Sequence, residues 1–186
     1  MTNYKYIFIF IMIFSTNEAQ SISFKKEIIE VKIIKDFCTL TGDYFFENDS
    51  FNIEETQIYY PFVINNSLLF PDSISVYNIS TMQSLPFKIL KDGVSFSIKV
   101  KPNSIIQLKV TYKQKILNNY FEYILTTTSA WKKSLESSTF NIILPHSYLN
   151  PVISYNIDSI AAGKEFTLYS FTKENFLPDK NLIIKW

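Results

Sequence analysis

Glycine is nearly absent, three in 186 residues. That excludes a glycine-rich phosphate cradle, whose turns need several residues free of a Cβ. Cysteine is rarer still: Cys38 stands alone, so no intrachain disulfide can form and the core must hold by packing. With His146 the single histidine, the chain cannot supply the three or four nitrogen and sulfur ligands of a zinc site. Neither sign of charge dominates, at 18 basic against 17 acidic residues, so nothing draws the chain generally to nucleic acid or an anionic membrane. No apolar run reaches the roughly 20 residues that span a bilayer core. Internal repeats and Pro-, Gly- or Ser-rich linkers are also missing.

Aromatics are abundant, with 17 Phe and 12 Tyr. Flat side chains pack well on a pleated surface, which favours strands over helices. The pattern is plainest between Ser104 and Pro145. Ile106, Leu108, Val110 and Tyr112 alternate with polar residues, and so do Phe121, Tyr123 and Leu125, then Phe140, Ile142 and Leu144. Period-two alternation puts these ten side chains on the inner face of half-buried strands. Ile28, Ile29, Val31, Ile33 and Ile34 predict a first strand, with Lys and Glu interspersed. Thr41-Gly42-Asp43 predicts a break before Tyr44-Phe45-Phe46. Ile58–Ile64 is apolar on both faces but holds Pro61, which cannot donate to a ladder, so it belongs at an edge or a bulge. Phe87–Leu90, Lys91-Asp92-Gly93 and Val94–Val100 predict a tight hairpin with positive φ at the turn. Val152–Tyr155 and Glu165–Phe171 add further strands, and Trp131–Glu136 has room for one helical turn. About ten short strands without an amphipathic helix predict an antiparallel β-sandwich, immunoglobulin-like or jelly-roll-like, with an open barrel as the alternative.

The N-terminus predicts export. Lys5 precedes the apolar run Tyr6–Phe14, and Ala19-Gln20-Ser21 supplies a small-x-small cleavage pattern. These are the parts of a signal peptide over residues 1–21, leaving a single domain over 22–186, secreted or periplasmic after cleavage near Ala19 or Ser21. An uncleaved anchor is the other reading of the same run.

Chemistry is harder to locate. Cys38 reads as a small buried apolar residue, since its only available base, His146, is far away in sequence. Glu47, Asn48, Asp49, Ser50, Glu54 and Glu55 form an acidic loop whose spacing fits no EF-hand, so it reads as solvated. Asn48-Asp49-Ser50, Asn65-Asn66-Ser67 and Asn78-Ile79-Ser80 match glycosylation sequons, which a chain so rich in Asn and Ser produces by chance. Trp131-Lys132-Lys133 is the one positive pointer to recognition. A flat aromatic beside two cations suits a sugar, a peptide or an anionic group. Its plainer role is Trp131 capping the core, with both lysines in solvent.

Tyr123-Ile124-Leu125-Thr126-Thr127, Trp131-Lys132 and Leu135, followed by Asn175-Phe176-x-Pro178-Asp179-x-x-Leu182, resemble the end of an uncharacterised secreted bacterial family. It is known as a domain of unknown function (number four thousand four hundred and twenty-four). The likeness covers Tyr123–Trp186, with a vaguer one over Tyr44–Pro61. Thr128 stands where that family has glycine, and Lys133-Ser134 where it has glycine-proline. The resemblance implies secretion and a β-rich fold, and no activity.

Together these readings predict a non-enzymatic binding or assembly module of the cell envelope. Its partner would be a protein, peptide or carbohydrate, and no cofactor, metal or catalytic residue is expected. A secreted hydrolase using two carboxylates from the 43–55 region is the alternative, since such chemistry needs only a pair. A purely structural envelope domain is the third possibility.

Overall fold

The computed structural model describes residues 21–186, so the expected signal peptide lies outside the described residues but for Ser21. Fourteen strands follow in order: β1 (Ile22–Ile34), β2 (Phe37–Asn48), β3 (Glu54–Pro61), β4 (Ser73–Asn78), β5 (Gln83–Ser84), β6 (Lys88–Leu90) and β7 (Gly93–Val100). Then come β8 (Ser104–Lys115), β9 (Tyr120–Tyr123), β10 (Leu135–Pro145), β11 (Val152–Ile153), β12 (Ser159–Ala162), β13 (Phe166–Phe176) and β14 (Leu182–Lys185). One 3-10 turn, Thr126–Trp131, lies between β9 and β10, just ahead of the stretch expected to make it.

One eight-stranded sheet runs β12-β13-β10-β1-β2-β8-β4-β5, and the opposing layer is split into two three-stranded sheets, β11-β14-β9 and β3-β7-β6. The sheets pack as an all-β sandwich and do not close into a barrel. Pairing is antiparallel except between β1 and β10, which run parallel. A single hydrophobic cluster joins the sheets, and all ten side chains expected from the alternation are buried in it. Cys38 is fully buried there too, and burial pushes its thiol well above the ordinary range.

Three local expectations are corrected. Gly42 does not break a strand; β2 runs through it without interruption. Its lack of a side chain makes room for Tyr44, whose hydroxyl would sit 2.2 Å from a Cβ at position 42. The β6–β7 hairpin forms as expected, but no glycine has positive φ. Gly93 is there for close approach: an added Cβ would lie 2.5 Å from the Tyr60 carbonyl oxygen. In β1 the expected inner face is partly reversed. Ile34 is exposed and Ile28 only half-buried, while Glu27 is buried.

The reversal has a local cause. β1 pairs with β2 through Phe24↔Phe46 and then Lys26↔Phe45, so Lys25 is an extra residue, a β-bulge. A bulge shifts the phase of everything beyond it by one residue. Ile22 and Phe24 face inward before it; Glu27, Ile29, Val31 and Ile33 face inward after it. Edge placement of β3 agrees with Pro61, which falls at its last position.

Candidate functional site

The bulge delivers a carboxyl group into an apolar interior. Glu27 is 2% exposed, and Ser138 of the parallel neighbour β10 donates its hydroxyl to Oε1 at 2.9 Å. Among the described residues no hydrogen bond is made to Oε2, and Glu27 lines a cavity between the sheets. Taking a carboxylate out of water without a cation favours its neutral form. Burial therefore pushes Glu27 up to about 7, and the Ser138 bond opposes this only in part.

Beside Glu27 three tyrosines from three different sheets meet. Tyr44 of β2 stands between Tyr60 of β3 and Tyr123 of β9, its hydroxyl 2.7 Å from one and 2.9 Å from the other. Space over Gly42 lets the Tyr44 ring lie down to reach both. All three phenols are pushed upward, chiefly by burial. Three phenols carry three O–H donors but share only two contacts, so one donor points elsewhere.

The cavity beside these groups has a volume of about 70 Å³. Phe24, Phe46 and Trp131 form its aromatic side, while half-buried Thr127, Pro61 and Trp131 stand at its rim. Trp131 tilts against Phe46 at 5.3 Å and Phe24 at 6.1 Å between ring centroids. The 3-10 turn brings it there, ended by Lys132 at a φ of 57°. Trp131 is thus packed on the core and borders the hollow. Lys132 and Lys133 are exposed, and neither lines the cavity.

The other sequence candidates stay apart. Asp43 and Glu47 lie on the outer face of β2, Asp43 3.6 Å from Lys109 and Glu47 3.2 Å from Lys25. Glu54 accepts from Ser50 and Glu55 pairs with Lys99, both on β3. No two of these carboxylates line the cavity together. Asn48, a sequon residue, is buried and donates to the carbonyls of Asn52, Val100 and Lys101; Asn78 is also buried, and Asn65 caps the Ser67 and Leu68 amides. His146 is exposed on the turn after β10. Among the described residues no group of three or more His, Cys, Asp or Glu is placed to hold a metal, and no helix is long and apolar enough to cross a membrane.

Glu27, Tyr44, Tyr60 and Ser138 were not singled out from the sequence. One signal was present: Glu27 sits where a strand of apolar periodicity changes phase, beside the doublet Lys25-Lys26.

The architecture is thus a β-sandwich whose layers enclose a small polar-floored cavity. No family model and no curated protein matches this sequence. Solved structures do. A candidate nutrient binding protein of Legionella pneumophila is similar at 15% identity and a TM-score of 0.66, over 88% of this chain and 66% of that one. An M1 zinc metallopeptidase of Deinococcus radiodurans is similar at 8% identity and a TM-score of 0.56, over 90% of this chain and 43% of the peptidase. A variant of that peptidase bound to a Tyr-Ser-Ala substrate aligns in the same way, at 7% identity and a TM-score of 0.56, over 89% of this chain and 43% of that one. At such identities the likeness is one of fold. The chain spans about two thirds of the first protein and under half of the peptidases.

Proposed function

We propose that this protein is a non-enzymatic binding module of the cell envelope that holds one small group of its ligand in the cavity beneath Trp131. The observation that carries this reading is Glu27: a buried carboxyl group bonded, among the described residues, through one oxygen to Ser138, and lining a cavity rimmed by a half-buried tryptophan. A domain that only packs against neighbours gains nothing from such a group, because burying it unpaired lowers stability. The likeness to a candidate nutrient binding protein is compatible with a binding role. Export is part of the proposal and rests on Tyr6–Phe14 and Ala19-Gln20-Ser21. So is the family suggested by the Tyr123–Leu135 and Asn175–Leu182 motifs. The partner belongs to the classes expected from the sequence, a protein, peptide or carbohydrate of the envelope.

The test uses the mature chain and its Trp131→Ala variant. Both are exposed to a glycan array and to fractionated envelope extract, with bound species identified by native mass spectrometry. A defined ligand retained by the parent and lost by a folded Trp131→Ala variant is the expected result. Equal retention by both removes the cavity as the binding site.

A further inference from the structure

We propose, resting on the binding reading above, that the group seated beneath Trp131 is a primary ammonium carried by a small amine. Three features of the cavity converge on this chemistry.

The first is a missing counter-charge. Glu27 is buried, yet its neighbours in sequence turn their charges away. Lys25 is held by Glu47 and Glu136, and Lys26 lies over the Phe45 ring at 5.6 Å, on the outer face of the sheet. Among the described residues no lysine lines the cavity. A ligand bringing its own cation would complete a pair that the fold leaves half-made. The second is the wall. Phe24, Phe46, Tyr44, Tyr60 and Trp131 surround the space with rings, whose negative faces attract cations and repel anions. The third is size and polarity. About 70 Å³ is roughly half of the ~150 Å³ engineered cavity that takes benzene. That suits a group of a few heavy atoms, with Oε2 of Glu27 and the phenol oxygens to accept its N–H donors.

Charge state supports the assignment. With Glu27 pushed up to about 7, an ammonium would select the ionised carboxylate and displace a proton near neutrality. The other titratable groups that line the cavity are Tyr44 from β2, Tyr59 and Tyr60 from β3, and Tyr123 from β9. Burial raises all four, so across the neutral range Glu27 alone changes charge there.

The decisive experiment follows Trp131 emission in a Trp186→Phe background. The probe is ethylammonium chloride, with ethanol and sodium acetate as neutral and anionic controls of similar size. Potassium chloride matches the ionic strength. At about pH 8 ethylammonium should give a saturable change, at least about tenfold weaker at about pH 5.5, where Glu27 is mostly protonated. Glu27→Gln should abolish it while remaining folded, and Glu27→Asp should keep part of it. If ethanol saturates the same signal as well as ethylammonium, or if Glu27→Gln binds like the parent, the ammonium assignment is wrong while the cavity remains a binding site. If no probe moves Trp131 emission and a crystal soaked with ethylammonium shows only ordered water beside Glu27, both this inference and the reading beneath it fall.

Discussion

The two tryptophans mark opposite ends of the sandwich, and the ends are built differently. Trp131 lies where β1 begins and β2 finishes, closing over about 70 Å³ that contains a buried carboxyl group. Trp186 lies beside the β1–β2 turn, stacked on Tyr148 at 5.1 Å along a hollow of about 550 Å³. The larger hollow is open and its polar groups, such as Lys35, Asp36, Asn118 and Asn119, come from turns. Placing charge on a solvated turn costs little, whereas burying Glu27 unpaired lowers stability. Size is therefore the wrong guide to which end matters. The smaller cavity is where the fold accepts a cost that packing alone does not require.

Five substitutions test that contrast. The largest effect is expected for Val110→Asp. Val110 is 1% exposed and lines the same cavity as Glu27, so the change puts a second carboxylate beside the first. The penalty of several kcal/mol is comparable with a domain's whole stability of about 5–15 kcal/mol. Circular dichroism should show no folded state, while Lys109→Asp on the outer face should melt near the parent. Similar melting of the two would mean that the register of β8 is wrong.

Gly42→Ala comes next. Its Cβ would strike the Tyr44 ring, which must leave its hydrogen bonds to Tyr60 and Tyr123. Overpacking of about 1–3 kcal/mol and two lost bonds of about 1 kcal/mol each give a loss of about 3–5 kcal/mol in urea unfolding. An unchanged midpoint would show that the phenol bridge contributes nothing.

Glu27→Gln should stabilise, and only at higher pH. The folded value of about 7 lies above the ordinary value of 4.5, so the native state binds the extra proton between them. Parent stability is then fullest below about 4.5 and declines as pH rises to about 7, by about 3 kcal/mol in total. Glutamine removes that decline, so the variant should gain about 3 kcal/mol over the parent at about pH 8 and almost nothing at about pH 4. A constant difference across this window would mean that Glu27 titrates normally.

The smallest effect belongs to the open end. Trp186→Ala loses one stacked pair, about 0.5–1.5 kcal/mol, and should leave the Glu27 pH profile unmoved. Trp131→Ala should instead admit water to Glu27 and shift the profile toward lower pH. If both variants shift it equally, the two ends are not independent.

Much of this molecule follows from residue order alone. Alternation along β8, β9 and β10 placed nine core side chains correctly, because the faces of a strand repeat every two residues whatever the strand pairs with; the tenth, Leu125, is buried just beyond the end of β9. Pro61 put β3 at an edge, because a residue without an N–H cannot serve an interior ladder. Lone Cys38 read as buried, and is. The site was a different matter. Whether Glu27 faces solvent or core depends on one bulge, and a bulge exists only in the pairing of β1 with β2. Tyr44, Tyr60 and Tyr123 are ordinary strand tyrosines until three sheets bring their hydroxyls together, the farthest pair separated by 79 positions. Local periodicity determines which side of a strand is apolar; the phase of the ladder and the stacking of the layers are long-range properties, and they decided which carboxyl group was left alone in the interior.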